Sequence, residues 1–126
     1  MTIPKCAVIF ALAASALALT AASAQARGAQ CRIFGSGDTI SDDYWPCVFL
    51  PENDGKGSFS LASADGPDTE VARGAVVVNV TIIAKGVADV QGLTRDGINS
   101  RWGTAKRAPE SGDGCWDGAD FEVCAK

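Results

Sequence analysis

Short runs of apolar, often β-branched residues recur along the chain after residue 30, and clusters of Gly, Asp and Asn separate them. The clearest run covers residues 75–83, where valines at alternate positions would line one face of a strand and Asn79 and Thr81 would interrupt the other. Residues 27–126 contain no long apolar stripe at helical spacing. Short alternating segments with turn residues between them predict an all-β domain.

Turn-forming residues connect several of these runs into hairpins. The segment 84–86 is expected to return the chain along residues 87–93. Phe59 and Leu61 alternate with serines, which predicts a half-exposed strand. The expected hairpins pair residues 75–83 with 87–93, 47–50 with 58–61, and 115–116 with 121–124.

One further strand is expected at residues 100–106, and surface loops are expected at 35–46, 63–73 and 108–114. The pattern therefore predicts about seven short antiparallel strands, arranged as a small barrel or as a sandwich.

Residues 1–26 have the three parts of a secretory signal peptide. Lys5 supplies the positive charge, residues 7–19 are almost entirely apolar, and residues 24–26 form a small-x-small cleavage site. The apolar run of about 13 residues is shorter than the roughly 20 that a membrane-spanning helix needs. Cleavage is therefore expected rather than a membrane anchor, leaving a single domain of residues 27–126 in the periplasm or outside the cell.

Four of the five cysteines lie in the expected mature chain, an even number that suits an oxidising compartment. Pairing Cys31 with Cys47 and Cys115 with Cys124 joins segments that the predicted hairpins already bring close. Each such bond would contribute about 2 to 3 kcal/mol. The crossed pairing of Cys31 with Cys124 and of Cys47 with Cys115 remains open, because four cysteines allow three connectivities.

The chain contains no histidine, and this absence removes whole classes of site. Ser-His-Asp and Cys-His catalysis and histidine-zinc centres are excluded, and paired cysteines would remove thiolate chemistry as well. Loss of Lys5 with the leader changes the formal charge from −4 to −5, which argues against nucleic acid and anionic lipid as partners. No cofactor is predicted.

One segment, residues 95–107, gathers basic side chains around a tryptophan in an otherwise acidic protein. Arginine and tryptophan are enriched at binding hot spots, and the arginine fork matches carboxylate and phosphate groups. The alternative is that Trp102 lies in the core while Arg101 and Lys106 cover a solvated strand face. The candidate binding residues are Arg95, Arg101, Trp102, Lys106 and Arg107.

Two acidic features of the sequence are candidate sites. Residues 113–122 have the oxygen ligands and the glycine of a calcium loop, but an EF-hand would need oxygen ligands where Cys115 and Cys124 stand, so no metal site is predicted. Asp42 and Asp43 lie beside Trp45, and Asp117 lies beside Trp116, neighbourhoods in which paired carboxylates could hydrolyse a glycosidic bond.

The spacing of the cysteines and their neighbours resembles that of small secreted four-cysteine proteins of unassigned function from alphaproteobacteria. The resemblance implies a shared cysteine-stapled β fold in the cell envelope, and it implies no activity. The positions that carry it are Cys31, Cys47, Ser58, Phe59, Gly114, Cys115, Trp116, Val123, Cys124 and Ala125.

No motif names a reaction or a ligand. The expectation is a non-catalytic binding or interaction module whose partner is an envelope or extracellular protein or a glycan, a class that includes inhibitors of extracellular hydrolases. The alternatives are a small carboxylate-dependent hydrolase and a purely structural envelope protein.

Overall fold

A computed structural model describes residues 25–108 and 114–126 of the chain. These residues form eight antiparallel strands, and each strand pairs with its neighbours in sequence. The last strand also pairs with the first, which closes the sheet into an up-and-down barrel. The strands are β1 (Arg27–Gly35), β2 (Trp45–Pro51), β3 (Phe59–Ser63), β4 (Ala75–Ala84), β5 (Val87–Thr94), β6 (Asn99–Ala108), β7 (Cys115–Gly118) and β8 (Phe121–Ala125).

The antiparallel barrel and its two disulfides confirm the predicted fold class and decide between barrel and sandwich. The structure has eight strands, and the additional one is β1. Its first residues, Arg-Gly-Ala-Gln, are weak strand formers. Pairing with β2 on one side and β8 on the other holds this segment extended, so tertiary pairing overrides the local preference.

Two sequence predictions fall wholly or mainly outside the described residues. The predicted signal peptide occupies residues 1–26, of which 1–24 are not described, and residues 109–113 of the loop predicted at 108–114 are also outside the description. Within the two described ranges, no helix is long and apolar enough to cross a membrane.

Aliphatic side chains from alternate strand positions fill the inside of the barrel. Val78 and Val80 of β4 and Val90 of β5 have no exposed surface, and Val80 lies opposite Val90 in register. Leu61 of β3 and Val123 of β8 are fully buried as well. Each such side chain contributes about 1.5 to 3 kcal/mol by leaving water, so the core is the main source of stability.

The disulfides join neighbouring strands, as the local pairing predicts. Cys31 of β1 is bonded to Cys47 of β2 within the core, with an S–S distance of 2.01 Å. Cys115 of β7 is bonded to Cys124 of β8, and these residues lie opposite each other in register. This connectivity excludes the crossed pairing, and two intramolecular disulfides suit an oxidising compartment.

The prediction that β3 is half exposed is wrong. Phe59 and Leu61 point into the core, and Ser58 and Ser60 on the other face are each only 4% exposed. The Ser60 hydroxyl lies 2.5 Å from the Asn79 side-chain oxygen and also contacts the Glu52 carboxylate. Neighbouring polar side chains therefore cover the serines, which the alternating sequence pattern predicted to be exposed to solvent.

The topology divides the connections between the two ends of the barrel. Residues 36–44, 64–74, 95–98 and 119–120 connect strands at one end, called the loop end below. The opposite end carries the start of β1, the end of β8 and the turns at 52–58 and 85–86. Most of the longer connections lie at the loop end, and binding residues are found on such connections more often than on the strands that they join.

Candidate binding site at the barrel mouth

The five basic and aromatic residues predicted as a binding patch do not form one cluster. Arg95 follows β5 at the loop end, where its guanidinium donates two hydrogen bonds, of 2.8 and 3.1 Å, to the carbonyl oxygen of Asp68. Lys106 is exposed along β6. Arg107 lies near the opposite end of the barrel, with its guanidinium carbon 5.6 Å from the centre of the Trp116 ring.

Arg101 and Trp102 are the two predicted residues that line a common cavity, at the loop end. Between β5 and β6 the register shifts, because Gly103 pairs with Val90 and Arg101 pairs with Gln91. Trp102 stands between these two pairs as the extra residue of a β-bulge, a feature that re-aims side chains. The bulge lets a residue on an otherwise solvated stretch turn its indole towards the interior.

The Trp102 indole packs at the top of the core. Its ring meets Phe121 edge to face, with 5.8 Å between centroids and 66° between planes. Beneath it lies Gly92 of β5, where an added Cβ would stand 2.9 Å from the indole nitrogen. Trp102 is therefore partly a core residue, as one of the sequence alternatives proposed, while its exposed part remains in the cavity wall.

Arg73, which the sequence analysis assigned to a surface loop, reaches the same cavity. Its guanidinium carbon lies 5.1 Å from the centre of the Trp102 ring, within the range of a cation–π contact. An added Cβ on Gly35 would overlap this guanidinium, so the glycine gives it space. Nothing in the local sequence around Arg73 predicted the contact, because it joins the β3–β4 connection to β6.

These elements enclose a cavity of about 240 Å³, called the mouth below, whose lining residues are Arg73, Ser100, Arg101, Trp102 and Asp120. Within the described residues, the guanidinium groups of Arg73 and Arg101 and the indole N–H of Trp102 make no hydrogen bonds. Arg73 has one ionic neighbour, the Asp38 carboxylate at 3.7 Å, which is beyond ordinary hydrogen-bond distance. The mouth therefore presents hydrogen-bond donors whose capacity the protein does not use.

A larger cavity of about 390 Å³ lies on the outer surface beside β1, β8 and the β1–β2 connection. Arg32 in its wall is already committed to the protein. Its guanidinium donates to Glu122 at 2.8 Å and to Asp42 at 3.4 Å. It also lies between the rings of Phe34 and Tyr44, at 5.4 and 5.2 Å from their centres.

Opposing effects act on the charge of Arg32. Burial would lower its pKa, but the hydrogen bond to Glu122 and the nearby negative groups raise it, and the net effect is a raised pKa. The Nε atom of Arg32 is buried without a hydrogen-bond partner in the described part of the chain. The Arg32 guanidinium thus joins β1 to β8 through its Nη atoms, which are the atoms that bond to Asp42 and Glu122.

Cys115, Glu122 and Cys124 place their sulfur and carboxylate atoms within 4.8 Å of one another. Such a group could hold a metal ion only through thiolates. Both sulfurs are consumed in the disulfide, so the oxidised protein cannot use them in this way.

The carboxylates considered for hydrolysis are distributed around the barrel. Trp116 is buried in the core, whereas Asp117, the next residue of β7, is exposed on the opposite face. Asp42 and Asp43 are exposed in the β1–β2 connection. Hydrolysis by a carboxylate pair stays a prediction.

Comparisons of the chain with protein-family models, curated proteins and solved structures give no match. The functional assignment therefore depends on the geometry of the mouth and on the sequence.

Proposed function

We propose that this protein is an exported, non-catalytic binding module that holds an envelope or extracellular partner at the mouth of its barrel. The leader-like residues 1–26 and the two intramolecular disulfides support export to the periplasm or beyond. Cleavage at the predicted site gives a mature chain that begins at Arg27, which intact-mass measurement on the exported protein would detect.

One observation carries the proposal. Arg73 stacks on Trp102, beside Arg101, and within the described residues these side chains leave their polar donors without hydrogen-bond acceptors. Arginine and tryptophan in a concave, partly desolvated position are the residue types that dominate binding energies at interfaces. The lining of the mouth therefore has the composition of a recognition surface.

Rigidity of the barrel supports the same role. The mouth lies at the end of a closed sheet that two disulfides hold together, so the backbone that carries its side chains needs little ordering when a partner arrives. A preorganised surface loses less entropy on binding, which favours affinity from a small contact area. This class of binding module includes inhibitors of extracellular hydrolases, which also present fixed loops on disulfide-stapled scaffolds.

The experiment is a capture assay with the exported protein, purified from an envelope fraction and immobilised. We expect the wild-type protein and Lys85→Ala to retain the same envelope component, and Arg101→Ala to lose it. Lys85 is a matched control because it is an exposed cation in the turn at the opposite end of the barrel. Equal capture by Arg101→Ala and the wild type would contradict the proposal, provided that both contain the two native disulfides.

A further inference from the structure

We propose that the mouth recognises a compact oxyanion, a carboxylate or phosphate group carried by the partner, through Arg73 and Arg101 with the indole N–H of Trp102. This inference rests on the proposed function in taking the same cavity as the binding site. It goes further because it names the chemical group that enters the cavity and adds Arg73 as a binding residue.

The hydrogen-bonding character of the lining carries the first step. Each guanidinium offers five N–H donors and no acceptor, and the indole offers one donor. Ser100 can donate through its hydroxyl, and Asp120 supplies the single carboxylate in the lining. Two cations and one anion give the lining itself a formal charge of +1, and the Asp38 carboxylate, which lies outside the lining 3.7 Å from the Arg73 Nε, offsets part of this charge on the Arg73 side. A ligand that complements it must be rich in acceptors and negatively charged, because charge-assisted bonds to guanidinium are the strongest available here.

The fixed position of Arg73 carries the second step. The residue lies in a tight turn before β4, where Ala75 donates a 2.8 Å hydrogen bond to the carbonyl of Ala72. Val71, just before this turn, is only 6% exposed and packs in the core. The Trp102 ring supports the guanidinium from one side. The fork of Arg73 is thereby oriented before any ligand binds.

Arg95 gives the same loop a second attachment. Its two hydrogen bonds to the Asp68 carbonyl connect the β3–β4 connection to the residues after β5. The first of these connections contains Arg73, and the second leads directly into β6. Arg95 is therefore a positioning residue for the mouth, and its side chain does not line the cavity itself.

The size of the cavity limits the ligand. Pockets for drug-sized molecules measure about 300 to 1,000 Å³, whereas the mouth measures about 240 Å³. It admits one acidic side chain or one acidic sugar ring. The group that enters is consequently the end or a branch of a larger partner.

The test uses three sugars of similar shape and different charge. The ¹⁵N-labelled exported protein is titrated with D-glucuronate, with D-glucose 6-phosphate and with D-glucose, and the indole N–H resonance of Trp102 is followed by NMR after assignment with Trp102→Phe. We expect a saturable shift with one or both acids, with a dissociation constant in the millimolar range, and none with glucose. The two acidic arms distinguish a carboxylate from a phosphate. The Trp116 indole, near the opposite end, should not move.

Variants make the test specific. Arg73→Ala and Arg101→Gln should each raise the dissociation constant of the acidic sugar by about tenfold or more, since each substitution removes charge-assisted hydrogen bonds. Lys85→Ala should bind as the wild type does. Arg101 is exposed and makes no hydrogen bond in the described part of the chain, so Arg101→Gln keeps the test valid even if Arg73→Ala disturbs the loop.

Three results would overturn the inference: no shift with either acid, an equal shift with glucose, or unchanged acid binding by Arg101→Gln. The proposed function fails separately. Loss of envelope capture in Arg101→Ala without any oxyanion response would leave a binding module with a different ligand chemistry. An oxyanion response with capture unaffected by Arg101→Ala would retain the site and reject its proposed role.

Discussion

Gly92 of β5 lies directly beneath the indole of Trp102, so that a Cβ at position 92 would stand 2.9 Å from the indole nitrogen and 3.1 Å from the Cβ of Ala75. Gly92→Ala should therefore push the indole out of its place or strain the strand. We expect a loss of about 1 to 3 kcal/mol in the free energy of unfolding. Chemical denaturation measures this loss, and a red shift of tryptophan emission would report the displaced ring.

Gly28→Ala is the matched control for that prediction. Gly28 lies in β1, and an added Cβ there would meet nothing within 4 Å. Its substitution should leave both stability and emission close to wild type. If Gly92→Ala behaves like Gly28→Ala, the contact between Gly92 and Trp102 has no energetic consequence.

The two disulfides should contribute unequally. Cys31–Cys47 closes a separation of 16 residues and its sulfurs lie in the core, whereas Cys115–Cys124 closes 9 residues. Replacing either pair by alanine should cost about 2 to 5 kcal/mol. The Cys31–Cys47 pair should cost more because its removal releases the longer loop, whereas both pairs are buried and both replacements leave unfilled space. Urea unfolding of the two double variants ranks them, and a greater loss for Cys115–Cys124 would contradict this order.

Much of the fold could be predicted because its information is local. Alternation in residues 75–83 and the following turn predict the hairpin of β4 and β5, where the structure places Val80 opposite Val90. The local disulfides follow from the same reasoning, since hairpin arms are already close. The pairing of β1 with β8 joins residues about 90 positions apart and depends on closure of the whole sheet, which no local pattern encodes.

The candidate site could be predicted only in part for the same reason. Arg101 and Trp102 adjoin in sequence, and their residue types identify them as candidates. The contact of Arg73 with Trp102 crosses from the β3–β4 connection to β6, and it depends on a β-bulge that shifts the register by one residue. Lys106 and Arg107 follow Trp102 closely in sequence, but the length of β6 carries them towards the other end of the barrel.

Asp54 should make the β2–β3 connection sensitive to acid. The hydrogen bond from the Ser58 hydroxyl, followed by that from the Lys56 backbone, lowers its pKa below the ordinary aspartate value. A carboxyl group whose pKa is lower in the folded state stabilises the fold above its unfolded pKa of about 3.9. This stabilisation is lost as pH falls through the lower, folded pKa.

The measurement is the free energy of unfolding of the wild type and of Asp54→Asn between neutral pH and strongly acidic solution. The wild type should lose more stability than the variant over the acidic part of this range, and the two should run parallel near neutrality. Curves that stay parallel throughout would show that Asp54 titrates alike in the folded and unfolded chains.

Arg32 allows two carboxylate partners of one guanidinium to be compared. Glu122 is 25% exposed and lies 2.8 Å from Arg32, whereas the Asp42 side chain is fully exposed at 3.4 Å. Because the Arg32 side chain is itself only 15% exposed, Glu122→Gln leaves a largely buried charge with weaker compensation. We expect it to cost about 1 to 3 kcal/mol of unfolding free energy. Asp42→Asn should have no measurable effect, since water solvates and screens that pair. Denaturant unfolding of the two variants measures the difference. Equal losses of unfolding free energy would show that burial does not determine how much each ion pair of Arg32 contributes to stability.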